Sequence, residues 1–141
     1  MVIIKSNLVY VFLRFLNSYN PLLNFTVELP IQGKIPYLDM LVIKNENKII
    51  TNWYKKDTSK GRMLNYFSNH TINIKINTAK GFLNRIFGLS KECFWEENKI
   101  IAFNLLKKNE YPIILINKLI DSEIQKITYH QQRFTISILY R

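Results

Sequence analysis

The sequence predicts an α+β fold, a short three-stranded antiparallel meander followed by a helical, helix-turn-helix region. Three observations carry this expectation. Apolar residues between about 25 and 54 alternate with polar ones, in short runs split by turn formers, which is the period of half-buried strands. Between 72 and 123 they recur every three or four residues instead, the period of helices that pack on one face. Between the two, over 55–70, the chain turns polar, basic and turn-rich, as a connecting loop does.

The elements follow in order. Leu8, Val9, Phe12, Leu13 and Leu16 predict an amphipathic helix over 8–17. Asn20-Pro21 ends it, because the residue before a proline disfavours helical backbone. Phe25, Val27 and Leu29, with Thr26 and Glu28 between them, predict a first strand. Gln32-Gly33-Lys34 is a turn, and Pro36 opens a second strand with Leu38, Met40 and Val42 on one face. Asn45-Glu46-Asn47 turns the chain into a third strand, Lys48 to Tyr54. Such short turns imply antiparallel neighbours.

After the loop, Ile72, Ile76, Ala79, Leu83 and Ile86 form the stripe of a long helix that Gly88 ends. Gly81 inside it costs roughly 1 kcal/mol of helix propensity, which packing is expected to offset. Ser90 is expected to cap a second helix, 91–108. Its Glu92, Glu96 and Glu97 come early and Lys107 and Lys108 late, the order that the helix dipole favours. Asn109-Glu110-Tyr111 breaks this helix, and Pro112 suits the first position of a third, running to about Glu123. Two helices joined so briefly are a helix-turn-helix in the geometric sense. Leu105, Leu106, Leu115 and Leu119 are expected to form the contact between them. In the tail, Phe134, Ile136, Ile138 and Tyr140 alternate, so a strand is an open alternative there. The expected division is a helix and meander over 1–54, a basic connecting loop over 55–70, a three-helix region over 71–124 and a tail of undetermined structure over 125–141.

Composition narrows the function. At 48% hydrophobic and 21% charged the chain is too apolar to be disordered. A single cysteine, Cys93, excludes a disulfide framework and a cysteine-based zinc site, and its apolar neighbours suggest a small core residue. His70 and His130 lack matched ligands, and the glycines are scattered, so neither a metal nor a phosphate-cradling glycine loop is expected. No apolar run reaches the ~18 residues of a membrane span. These features suggest an intracellular chain with no cofactor and no membrane partner. Asp39 on a strand has no second carboxylate nearby, whereas metal-dependent phosphoryl transfer needs a converging pair. No catalytic residues are therefore assigned.

The net charge of +10 is unevenly placed. Residues 54–91 hold eight cations and one anion, Asp57, while the rest of the chain is nearly balanced. Such a zone attracts phosphate by its long-range field. Aromatics are interleaved with the cations: Trp53, Tyr54, Lys55, Lys56, Lys60, Arg62, Tyr66 and His70, with Lys75 close behind. Cations neutralise phosphates while flat rings stack on bases. These nine residues are the candidate nucleic-acid site, for weak and salt-dependent binding of RNA or DNA. The competing interpretation places the rings in the core and the lysines in water.

Four blocks of sequence resemble one known family, the Penelope-like retroelement reverse transcriptases. Ile35-Pro36-Tyr37-Leu38-Asp39-Met40-Leu41-Val42 resembles its "LPFLDxLV" block. Trp53 to Arg62 resembles "WYRKPTxSGR", and Leu64 to His70 resembles "LNYxSNHP". Asn109-Glu110-Tyr111-Pro112 resembles "NGYP". Order and spacing agree over about residues 12–121. The resemblance implies the region after the polymerase palm, on the thumb side, touching template and product without doing chemistry. The "YxDD" metal-binding motif of the palm does not occur in this sequence, so an upstream palm is an implied partner. Asp57, Thr71 and Glu110 depart from the family's proline, proline and glycine. The expected function is that of a non-catalytic part of such an enzyme. The alternatives are a stand-alone helix-turn-helix protein or a remnant without activity.

Overall fold

The computed structural model describes residues 5–46, 48–56 and 58–139, without the side chains of Ser6 and of 131–139. The departure at Asp57, Asn47 of the expected turn and the end of the tail at Tyr140 lie outside the described residues. The chain divides into two compact units, Met1–Ile35 and Pro36–Arg141.

In the first unit a 3-10 turn, Ser6–Leu8, leads into α1, Val9–Tyr19. This is the amphipathic helix that the three-to-four spacing predicts. The strand expected at Phe25, Val27 and Leu29 does not form. Alternation supplies a face, but a strand also needs a neighbour for its backbone groups. Here a side chain serves Phe25 instead: its amide donates to Asn17 Oδ1 at 2.6 Å, and Asn17 Nδ2 donates to its carbonyl at 3.1 Å.

Three strands are nevertheless present, in the order β1 (Lys34–Tyr37), β2 (Met40–Asn45) and β3 (Lys48–Trp53). The single second strand expected from Pro36 onward is broken in two at Leu38-Asp39, where Leu38 takes a left-handed backbone, φ +55°. The hairpin of β2 and β3 is antiparallel, with Met40 opposite Trp53 and Asn45 opposite Lys48. The unit boundary falls inside β1, so the hairpin groups with the helices. Its end is tied to the turn after the first long helix: Lys91 N donates to Thr51 O at 2.9 Å and Trp53 N to Ser90 Oγ at 2.9 Å.

Ser90 is therefore not a helix cap. Its hydroxyl, with one proton to give, lies 2.6 Å from the Ile86 carbonyl and 2.9 Å from Asn52 Oδ1, and it accepts from Asn98 Nδ2 at 2.8 Å. A 3-10 turn, Glu92–Phe94, intervenes before the next helix starts, and Cys93 sits in that turn exposed rather than in the core.

The helices are α2 (Ile72–Gly88), α3 (Trp95–Lys108) and α4 (Ile113–Leu139). α2 packs against both α3 and α4. The core gathers Ala79, Leu83, Ile86 and Phe87 from α2, Ala102 and Leu106 from α3, and Ile116, Leu119 and Ile120 from α4, with Tyr111 between. Gly81 faces open space, so packing does not explain it. α4 does not stop near Glu123 and the tail is not a strand, since the helical backbone continues to Leu139. Ile124 and Ile127 prolong the buried stripe of Ile116 and Ile120, and no glycine or proline interrupts it.

The turn between α3 and α4 holds Glu110 at φ +64°, where the resembled block has glycine. A non-glycine residue in that region costs ~1–2 kcal/mol. Glu110→Gly should therefore stabilise the chain by about 1 kcal/mol, read as a rise in the urea midpoint. A fall would show that the Glu110 side chain contributes more than its strain costs.

Candidate nucleic-acid interface

The basic loop is pinned to the helix-turn-helix by Asn109, the residue that closes α3. Its Nδ2 donates to the Gly61 carbonyl at 3.1 Å and to the Leu105 carbonyl at 2.8 Å. Its Oδ1 accepts from Met63 N at 3.1 Å, and its backbone carbonyl accepts from Tyr66 N at 3.0 Å. Nearby, Lys108 Nζ donates to the Lys60 carbonyl at 3.2 Å. Gly61 has φ +64°, and a β-carbon there would lie 2.5 Å from Leu105 Cδ2, so a side chain would both strain the backbone and push the end of Leu105 aside. Leu105 thus packs beneath the loop and lies outside the central cluster that Leu106 and Leu119 join and Leu115 packs against.

Where β3 runs into this loop, a cavity of about 300 Å³ opens between the loop, α2 and α3. Trp53, Met63, Phe82 and Leu105 give it apolar walls, and Lys55, Lys56, Arg62 and Arg85 line it with positive charge. Trp53 meets Phe82 edge-to-face at 5.9 Å. Arg85 also pairs with Asp39 at 3.2 Å, both more than half exposed. A pair so wet contributes at most ~1 kcal/mol, but it leaves the Asp39 carboxylate matched beside the cations.

Of the nine candidate residues, Trp53, Tyr54, Lys55, Lys56 and Arg62 line this cavity. Lys60 is exposed at the loop's edge. Tyr66, Lys75 and His70 lie apart from it. Tyr66 meets the ring of the buried Tyr111 at 5.4 Å, tilted by 57°, and the Lys75 ammonium sits 5.5 Å over the Tyr66 ring. That ring is engaged in packing rather than offered to a base. His70 is exposed, its Nδ1 3.3 Å from Ser68 Oγ. Phe82 and Arg85 are not among the residues that the sequence assigns to the site. No local pattern marks them, because their place beside the loop depends on how α2 packs. Among the described residues no three of His, Cys, Asp and Glu converge as metal ligands, and no helix is long and apolar enough to cross a membrane.

Tyr111 fixes the other side of the turn. Its hydroxyl donates to the Lys75 carbonyl at 3.1 Å. Burial pushes its phenol above the ordinary 10.0, and the neighbouring Tyr66 adds to the shift. The neutral phenol is thus favoured by folding, so this contribution is whole below pH ~10 and is lost as pH rises through the raised value. Unfolding free energy should fall in that alkaline window, and Tyr111→Phe should flatten the fall. A flat profile for the natural chain above pH ~10 would contradict the assignment.

Residues 62–121 match the animal helix-turn-helix domain family. A helix-turn-helix region therefore occupies that span, from Arg62 within the basic loop to Asp121 in the first half of α4. No curated protein and no solved structure matches the chain.

Proposed function

We infer that this chain is a nucleic-acid-binding module, with the helix-turn-helix as scaffold and the loop from Lys55 to Arg62 as the contact. The observation that carries this reading is the convergence of Lys55, Lys56, Arg62 and Arg85 on one cavity beside aromatic rings, within and next to the matched domain. At the start of α4 the exposed residues include Ile113 and Ile114, 52% and 85% accessible, before Asn117 and Lys118. Apolar side chains cannot read base edges by hydrogen bonds, so the second helix serves packing more than recognition. Phosphate contact through lysine gives affinity without sequence preference.

The finer reading is a non-catalytic, thumb-side part of a Penelope-like reverse transcriptase. The ordered blocks from Ile35 to Pro112 support it. So does Glu110, whose left-handed backbone falls where the family block carries glycine. An upstream polymerase palm is then the natural partner.

Binding of RNA or single-stranded DNA should weaken steeply with salt. Changing Lys55, Lys56, Lys60 and Arg62 to alanine should flatten that dependence, because every phosphate left without its cation lowers the log–log slope by roughly 0.7–0.9. An unchanged slope in the quadruple variant would place the contact on another surface.

A further inference from the structure

We propose that the cavity at the end of β3 seats one unstacked nucleotide, so that the chain takes single strands in preference to duplex. This rests on the nucleic-acid reading above and names the form of the ligand. Two features argue for it together. The walls from Trp53, Met63, Phe82 and Leu105 are apolar and partly aromatic, while Lys55, Lys56, Arg62 and Arg85 line the same cavity, Arg85 paired with Asp39. A base fits the first and its phosphate the second, whereas a phosphate backbone alone would need no apolar walls. The volume, about 300 Å³, is at the low end of the ~300–1,000 Å³ of small-molecule sites, which suits one nucleotide and no more. A paired base is stacked between its neighbours and cannot enter. Tyr54, on the wall beside Lys55 and Lys56, supplies the ring nearest the loop's cations in sequence.

Fluorescence anisotropy of the full chain tests this with a labelled single-stranded oligonucleotide and a blunt duplex of the same length. The competitors are AMP and ribose phosphate at equal ionic strength. The expected result is tighter binding of the single strand, displaced by AMP and much less by ribose phosphate. Tyr54→Ala should weaken AMP competition roughly tenfold, the loss of one stacked base, while Tyr54→Phe should retain it. An unchanged far-ultraviolet spectrum keeps the alanine result interpretable. Equal binding of duplex and single strand, untouched by AMP, would overturn the pocket and leave the nucleic-acid reading standing. Competition by ribose phosphate as strong as by AMP would reduce the cavity to an anion site and also overturn it. Binding to neither nucleic acid would overturn both readings.

Discussion

Phe87→Ala should remove about 3–5 kcal/mol of stability. Phe87 is 0% exposed and is the largest of the fully buried side chains among the described residues. Its ring meets Trp95 edge-to-face at 6.1 Å, and its carbonyl is one of two acceptors for the Trp95 indole N–H, at 3.2 Å. Truncation leaves a void in the cluster shared by α2, α3 and α4, and those helices cannot close on it without moving Trp95. A domain of this size holds only ~5–15 kcal/mol in total, so the variant should be largely unfolded at moderate urea. Far-ultraviolet helix signal and tryptophan emission should be lost together. Phe87→Leu keeps most of the volume and should cost clearly less. A loss below about 1 kcal/mol for the alanine variant would mean that Phe87 does not anchor the helical unit.

How much of this is legible in the sequence divides along a physical line. Ala79, Leu83 and Ile86 repeat at helical spacing and are all fully buried, because burying one face is the same event as forming the helix. The β2–β3 hairpin is legible for a similar reason, since a short turn brings its two strands side by side. The strand at Phe25, Val27 and Leu29 is not. Its alternation is genuine, but the neighbour that would complete it is a tertiary fact, and the Asn17 amide takes the backbone of Phe25 instead. Leu38 shows the same limit, as nothing in Tyr37-Leu38-Asp39 announces a left-handed leucine. Ser90 reads as a cap because capping is a local rule, whereas its actual partners Asn52 and Asn98 lie 38 and 8 residues away. At the site, Lys55, Lys56 and Arg62 can be found as a basic run. Arg85 cannot, because its place beside them depends on how α2 packs.

Asn109 carries the largest expected effect on function without being a contact itself. Asn109→Ala removes the donor to Gly61 O and the acceptor for Met63 N in one step. Both groups belong to the loop and are left unpaired in a partly buried place, at ~1–3 kcal/mol for each. The expected destabilisation is about 2–4 kcal/mol, and it falls first on the loop, whose groups lose their partners. The far-ultraviolet helix signal should therefore persist at low temperature while the loop detaches from α3. Every cation remains in the sequence, yet Lys55, Lys56 and Arg62 no longer converge with Arg85, so affinity for single-stranded nucleic acid should fall at constant net charge. Asn109→Asp keeps an acceptor for Met63 N but has no amide to donate, and should be intermediate. If Asn109→Ala cost stability but left binding and its salt slope unchanged, the loop's cations would act through charge alone. Their arrangement on the cavity would then have no part in recognition.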